Sequence, residues 1–193
     1  MRIVRSVTEQ EMIRAFVEAE VESPVYGAAY ARAAQAFGAD REALFHPDAD
    51  RLRAKVLRAV RGYPVSALFT GFPSDPSWNL AAISVRELGG FLYLREYGWV
   101  ALSGGTRLVR DGAANVQAAG GGAKARGIVA AEEAVREGKR FQPIIAAAES
   151  ASAVHILAEG HTRATAYVRA LDVDDEIEVI IGYSTNLSGW HFF

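Results

Sequence analysis

The nine residues "EGHTRATAY", 159 to 167, set a carboxylate, an imidazole, a guanidinium and two threonine hydroxyls around one glycine. They follow the apolar run "AVHILA" and lead into a helical pattern, so this polar chemistry gathers at a strand-to-helix turn. A helix N-terminus offers unpaired backbone amides and the positive end of the helix dipole, which together suit an anion. Gly160 permits a tight turn and close approach to the backbone. Thr162 and Thr165 supply hydroxyls, His161 can donate from either ring nitrogen, and Arg163 presents a planar fork that matches phosphate oxygens. The residues read as a phosphate cradle at the mouth of a helix. The plainer alternative is a helix start, with Thr162 as its cap and Arg163 in solvent. A first-turn arginine opposes the helix dipole, however, and so asks for an anion nearby.

The elements that must position this turn are legible in outline. Residues 127 to 193 alternate: a helix in "GIVAAEEAVREGKRF" stopped by Gly138, strands in "QPIIAAA" and "AVHILA" close to a hairpin, a helix in "HTRATAYVRAL", and a last strand in "EIEVIIGYS". Residues 1 to 62 read as helical. Thr8 and Glu11 form a capping-box pair, Ser23 and Pro24 stand at cap and first-turn positions of a second helix, and Leu52, Val56, Leu57 and Val60 make the stripe of a third. The opposite side of that third helix carries Arg51, Arg53, Lys55, Arg58 and Arg61, read as a solvated face rather than a nucleic-acid contact.

Between these regions, "YPVSALFTGFPSDPSWN" reads as loop with one short strand in "VSALF". The runs "LAAISV", "GFLYLREY" and "WVALSG", separated by Gly-Gly and Tyr-Gly pairs, read as strands, and "AGGGAKARG" as a flexible connection. The expected fold is α+β, a small mixed sheet with packed helices, with an N-terminal helical region over 1–62 and the α+β domain over 63–193.

In "QPIIAAAESASAVHILAEGHTRATAYVRAL…EIEVIIGYS" the chain resembles the core of the ParB/sulfiredoxin-like fold. The resemblance is carried by Gln142, Pro143, Ile144 and Ile145, then by Glu159, Gly160, His161 and Arg163, with Ala164 and Ala166 as small helix residues. It spans roughly residues 78 to 184 and is close over 127 to 184. It implies a nucleotide whose phosphates lie on the Glu-Gly-His-Thr-Arg turn: ATP or ADP, or alternatively CTP, with Mg2+. Sulfiredoxins need a cysteine in this motif, and this chain has none. Partitioning proteins continue into a helix-turn-helix, which is not seen after the last strand. The kinase-like branch resembling free serine kinases remains. It implies phosphoryl transfer to a small molecule, with Glu159 and His161 as catalytic candidates; the alternatives are a nucleotide-binding switch or adaptor without chemistry and, ranked below it, a ParB-like DNA-binding protein.

Further candidates surround the motif. Lys124 and Arg126 precede a helix and can add phosphate contacts, although the Walker A spacing is missing and a plain linker is the alternative. Glu96, Ser103, Thr106 and Arg107, with Trp99 as a wall, can line a substrate pocket; a hairpin turn at Gly-Gly-Thr-Arg is the alternative. Ser184, Asn186 and Trp190 follow a strand end, where ligand residues often sit.

The whole chain bounds these readings. Its 193 residues suffice for one core, and with half of them hydrophobic it has a globular composition. A net charge of -2 argues against a broad nucleic-acid surface, which is driven by phosphate neutralisation. The four histidines have no ligand spacing, so no metal site is expected. No apolar run approaches spanning length, which leads to the expectation of a cytoplasmic protein without membrane contact. The helical region is a candidate homodimer contact.

Overall fold

The computed structural model describes residues 1–118 and 120–193. Among them the chain is an α+β protein of eight α-helices and one five-stranded mixed sheet, with an N-terminal helical region. The strands are β1 (Arg2–Ser6), β2 (Ser77–Ser84), β3 (Ile144–Ala148), β4 (Ile156–Glu159) and β5 (Glu176–Tyr183). Their order is β1-β2-β5-β3-β4; only the β5–β3 pair is parallel. The helices are α1 (Glu9–Val21), α2 (Gly27–Ala36), α3 (Asp50–Arg61), α4 (Val85–Gly89), α5 (Tyr97–Leu102), α6 (Val109–Asn115), α7 (Ala123–Arg136) and α8 (His161–Ala170).

The sheet is covered on both faces, and β3 shows why. All five of its residues are buried. Strand side chains alternate between faces, so Ile145 and Ala147 join a core with Phe16, Leu57 and Trp190, while Ile144 and Ala146 join one with Leu88, Val109 and Ala164. The first core carries α1–α3 and the aromatic C-terminal residues. The second carries α4, α6 and α8. A continuous apolar run such as "IIAAA" is what a strand buried on both sides requires.

Several expectations are corrected. Residues 2–6 are not helical: β1 pairs with β2 at the sheet edge, every residue exposed, and α1 begins only after the Thr8–Glu11 capping box. Helix α2 starts at Gly27, and Ser23 and Pro24 lie in the preceding turn. There Gly27 approaches Val21 O so closely that an added Cβ would lie 2.6 Å from it. Arg53 is not on a solvated face; fully buried, it donates to the carbonyls of Leu44, His46 and Pro47 and to Asp50.

The segment "VSALF" is no strand. It forms a 3-10 turn at Ala67–Phe69, with Phe69 buried edge-on between Tyr63 and Phe72. "WVALSG" is helical rather than extended, because Glu96 caps α5 by accepting the Gly98 and Trp99 amides. In "GFLYLREY" only Leu92 makes strand-like bridges, to Leu108 and Ile156. Gly-Gly-Thr-Arg therefore joins two helices instead of closing a hairpin, with Gly104, Gly105 and Arg107 at positive φ. Helix α7 begins at Ala123, so the flexible connection shrinks to the residues before it; Ala119, part of that reading, lies outside the described residues.

Candidate functional site

Strand β4 ends in Glu159, and Gly160 turns the chain into α8 with φ 90° and ψ 19°, a left-handed conformation that a side chain would strain. Gly160 is the cap residue, so Thr162 is not. No side chain caps α8, and among the described residues the amides of His161, Thr162 and Arg163 have no protein acceptor; the first helical bond is Ala164 N to Gly160 O. Helix α8 thus opens with three free amides.

The polar side chains of the turn are held by their own neighbours. Arg163 is buried, donates to the Gln142 carbonyl at 3.1 Å and pairs with Glu159. The anion that a first-turn arginine demands is therefore Glu159 of the same motif. Burial pushes the Glu159 carboxyl up, against the opposing charges of Arg163 and Arg61. Thr165, fully buried, donates to the His161 carbonyl and shares a 2.7 Å hydrogen bond with Tyr93 Oη, so its hydroxyl faces inward rather than toward a ligand. Thr162 stays half-exposed. The Gln142 amide donates to Glu18 of α1, and Pro143 leads into β3.

His161 packs in an aromatic stack, 5.1 Å from Trp99 and 6.0 Å from Tyr93 between ring centroids. Its Nε2 accepts the Leu94 amide at 3.3 Å. Desolvation, then the charges of Lys124, Arg61 and Arg163, push its pKa down to about 3. The ring is neutral, and with Nε2 accepting, its proton sits on Nδ1. It is an aromatic platform with one donor, not a cation for phosphate.

Lys124, in the first turn of α7, reaches the same place. Its Nζ lies 3.7 Å above the Trp99 ring and 3.3 Å from Glu96 Oε2. Burial pushes the ammonium pKa down, with Glu96 opposing. For Glu96, partial burial raises the pKa but the Gly98 amide, Lys124 and the Trp99 amide outweigh it, so it stays ionised. Of the residues proposed from the sequence, Glu96, Trp99, Lys124, Gln142, Pro143 and 159–163 converge on the turn.

Others do not. Arg107 donates to Tyr93 O and to oxygens of Phe192 and Phe193, tying down the C-terminal residues. Ser103 donates to the Trp99 and Val100 carbonyls, and Thr106 to Asp111. Ser184 donates to Asp75, and Trp190 is a core residue whose indole N–H bonds Leu68 O. Two surface cavities, of about 320 Å³ beside Ser6, Glu9 and Trp78 and about 310 Å³ beside Val116, Ala125 and Arg126, touch no residue of the turn.

Two charged residues that bear on Glu159 carry no signal in the motif itself. Glu20 of α1 accepts from Tyr30 Oη at 2.8 Å and lies 3.4 Å from Arg61 Nε at the end of α3. Burial raises Glu20 to about 7, with Arg61 opposing and Glu159 adding to the rise. These two enter through helix packing, and no spacing along the chain would have joined them to residue 159. No group of three or more His, Asp or Glu side chains able to hold a metal occurs among the described residues, and none of their helices is long and apolar enough to cross a membrane.

Comparison with protein-family models, with curated proteins and with solved structures found no match to this chain.

Proposed function

We propose that the chain binds the phosphates of a nucleotide at the N-terminus of α8 and transfers a phosphoryl group to a small molecule, as the resemblance to ParB/sulfiredoxin-like kinases implies. The observation that carries this reading is the uncapped start of α8: three free amides behind a left-handed glycine, beside a lysine and an aromatic platform. Phosphoryl transfer depends on positioning and charge neutralisation more than on covalent help. The amides of His161, Thr162 and Arg163 would donate to phosphate oxygens, and Lys124 would swing from Glu96 to neutralise them. Arg163 positions the turn by tying Glu159 to Gln142.

The acids at the turn do not fit a magnesium ion held by protein. Glu159 is paired with Arg163, and Glu96 with Lys124 and two amides. Such an ion would enter with the phosphates. The same pairing of Glu159 favours a second reading, a nucleotide-binding switch without chemistry, because it leaves no free carboxylate at the turn to act as base.

Thermal unfolding with ATP, ADP, CTP and GTP, each with magnesium, on the wild type and Lys124→Ala tests the shared core of both readings. At about 100 times its dissociation constant a ligand adds roughly 2.7 kcal/mol, a rise of several degrees for a chain of this size. One nucleotide should raise the wild-type midpoint and do so less for the variant. No shift with any nucleotide at millimolar concentration would sink both readings. Release of the nucleotide one phosphate shorter, a diphosphate from a triphosphate or AMP from ADP, in the presence of pooled small alcohols, amines and acids then separates the kinase from the switch.

A further inference from the structure

The outer face of α3 carries three cations with nothing to neutralise them. Arg51, Lys55 and Arg58 are exposed, while Arg53, Val56 and Leu57 are buried. The i, i+4, i+7 spacing sets the three on one stripe about 10 Å long. Among the described residues none of the three joins an ion pair, whereas Arg2, Arg5, Arg14, Arg53 and Arg61 of the same N-terminal region each do. Phe37, just past α2, is 45 % exposed, and Lys55 Nζ lies over its ring, 5.9 Å from the centroid.

The turn between α8 and β5 is the opposite in charge. It displays Asp172, Asp174, Asp175, Glu176 and Glu178, all exposed, with Val173 51 % exposed among them. Arg86 and Arg2 pair with Asp174 and Glu176 at 3.2 and 3.1 Å, which leaves three carboxylates in excess, as many as the cations of the stripe. Asp175 N donates to Asp172 O and Asp172 N to the Asp175 carboxylate, while the Val85 and Arg86 amides donate to Asp175 O and Val173 O. The carboxylates are thus presented on a fixed frame, which lowers the ordering cost of docking. Helix α3 covers one face of the sheet and α8, which leads into the turn, covers the other.

We propose that the basic stripe of α3 docks the acidic α8–β5 turn of a second copy of this chain, head to tail, with Val173 set against Phe37. Three cations then meet three unneutralised carboxylates, and an exposed apolar side chain meets another. That match favours a second copy over a nucleic acid, which would use the stripe alone. A chain with a net charge of -2 has little overall repulsion to hold its copies apart. Because the two surfaces differ, the contact is heterologous, and each added copy leaves one stripe and one turn free for the next. With few apolar side chains in it, the contact is weak and salt-sensitive. The inference is independent of the phosphate reading, since neither surface includes a residue of the Gly160 turn.

Sedimentation velocity of the wild type, over a range of concentrations in low salt and in salt well above physiological, reads the association directly. Two charge reversals at exposed positions, Lys55→Glu and Asp172→Lys, block one surface each, and circular dichroism checks that both variants fold. The wild type should grow in mass with concentration in low salt and return to monomer in high salt. Each variant alone should associate about ten-fold more weakly or not at all. Mixed in equal amounts, the two should form a dimer that grows no further. The intact stripe of Asp172→Lys meets the intact turn of Lys55→Glu, and both remaining surfaces are blocked. A wild type that stays monomeric in low salt at every concentration overturns the proposal. So does association that either reversal leaves unchanged, or a mixture that stays monomeric. A monomeric wild type that holds single-stranded DNA or phosphatidylserine vesicles, and loses them in Lys55→Glu, overturns the second copy and gives the stripe to that polyanion.

Discussion

Glu20 and His161 are perturbed in opposite senses by the same burial, and that makes their effects separable by pH. Glu20 rises from an ordinary 4.5 to about 7, so the folded protein keeps a proton that the unfolded chain releases. Its contribution to stability is present in full below about 4.5 and is lost as pH rises to about 7. His161 falls from 6.5 to about 3, so its contribution is present above 6.5 and is lost as pH falls. Between 4.5 and 6.5 the two slopes oppose each other. Glu20→Gln removes only the first, since a glutamine can still accept from Tyr30. Denaturant unfolding at pH 5, 6, 7 and 8 should therefore show the variant gaining on the wild type by roughly 2–3 kcal/mol across the window, at about 1.4 kcal/mol per unit of pKa difference. A constant difference would mean that Glu20 titrates as an ordinary glutamate. The motif residues 159–163 were readable because a single turn holds them. Glu20 and Arg61 were not, since only the packing of α1 against α3 brings them together.

Local signals are legible where side chain and backbone settle the element between them. The Thr8–Glu11 capping box, the Gly138 stop and the Gly160 turn are all present in the structure. They failed where a cap competes with an apolar pattern: "WVALSG" alternates like a strand, but Glu96 satisfies two amides and the segment winds into α5. They failed again at β1, whose exposed residues have no buried face to announce a strand.

The turn at Gly160 yields an element-scale test with an internal control. An added Cβ there would meet Arg163 Nη2 at 3.0 Å and Ile144 Cγ1 at 3.1 Å, whereas at Gly138, with nearly the same φ of 88°, it would meet nothing. Gly138→Ala should cost only the left-handed strain, about 1–2 kcal/mol. Gly160→Ala should cost that and more, because the Arg163 fork must shift, and it should also weaken tripolyphosphate binding by disordering the three amides. Equal losses in urea unfolding would show that the Arg163–Ile144 packing yields freely.

At the scale of the molecule, the division at residue 62 raises the question of whether the helical region unfolds by itself. One apolar core runs from Met12, Phe16 and Tyr30 through Leu57 and Phe69 to Ile145, Ala158 and Ile180 of the sheet. Helix α1 is further tied to the motif by Gln142, which donates to Glu18, and α3 is tied to α1 by Arg61 beside Glu20. Stripping α1–α3 from the sheet would expose one whole face of β3, a strand fully buried as it stands. That exposure is too costly for a stable intermediate, because burial is worth about 25 cal/mol per Å² of apolar surface. Unfolding should therefore be a single cooperative transition. The tryptophans report on both sides of the sheet: Trp78 and Trp190 lie in the core under the helical region, and Trp99 stacks on His161 across from it. Fluorescence of Trp99→Phe, which follows the first side, and of Trp78→Phe/Trp190→Phe, which follows the second, should each coincide with far-ultraviolet circular dichroism of the same variant in urea. If the signal of the first side is lost at lower urea than the dichroism of the sheet and remaining helices, the helical region is an independent unit.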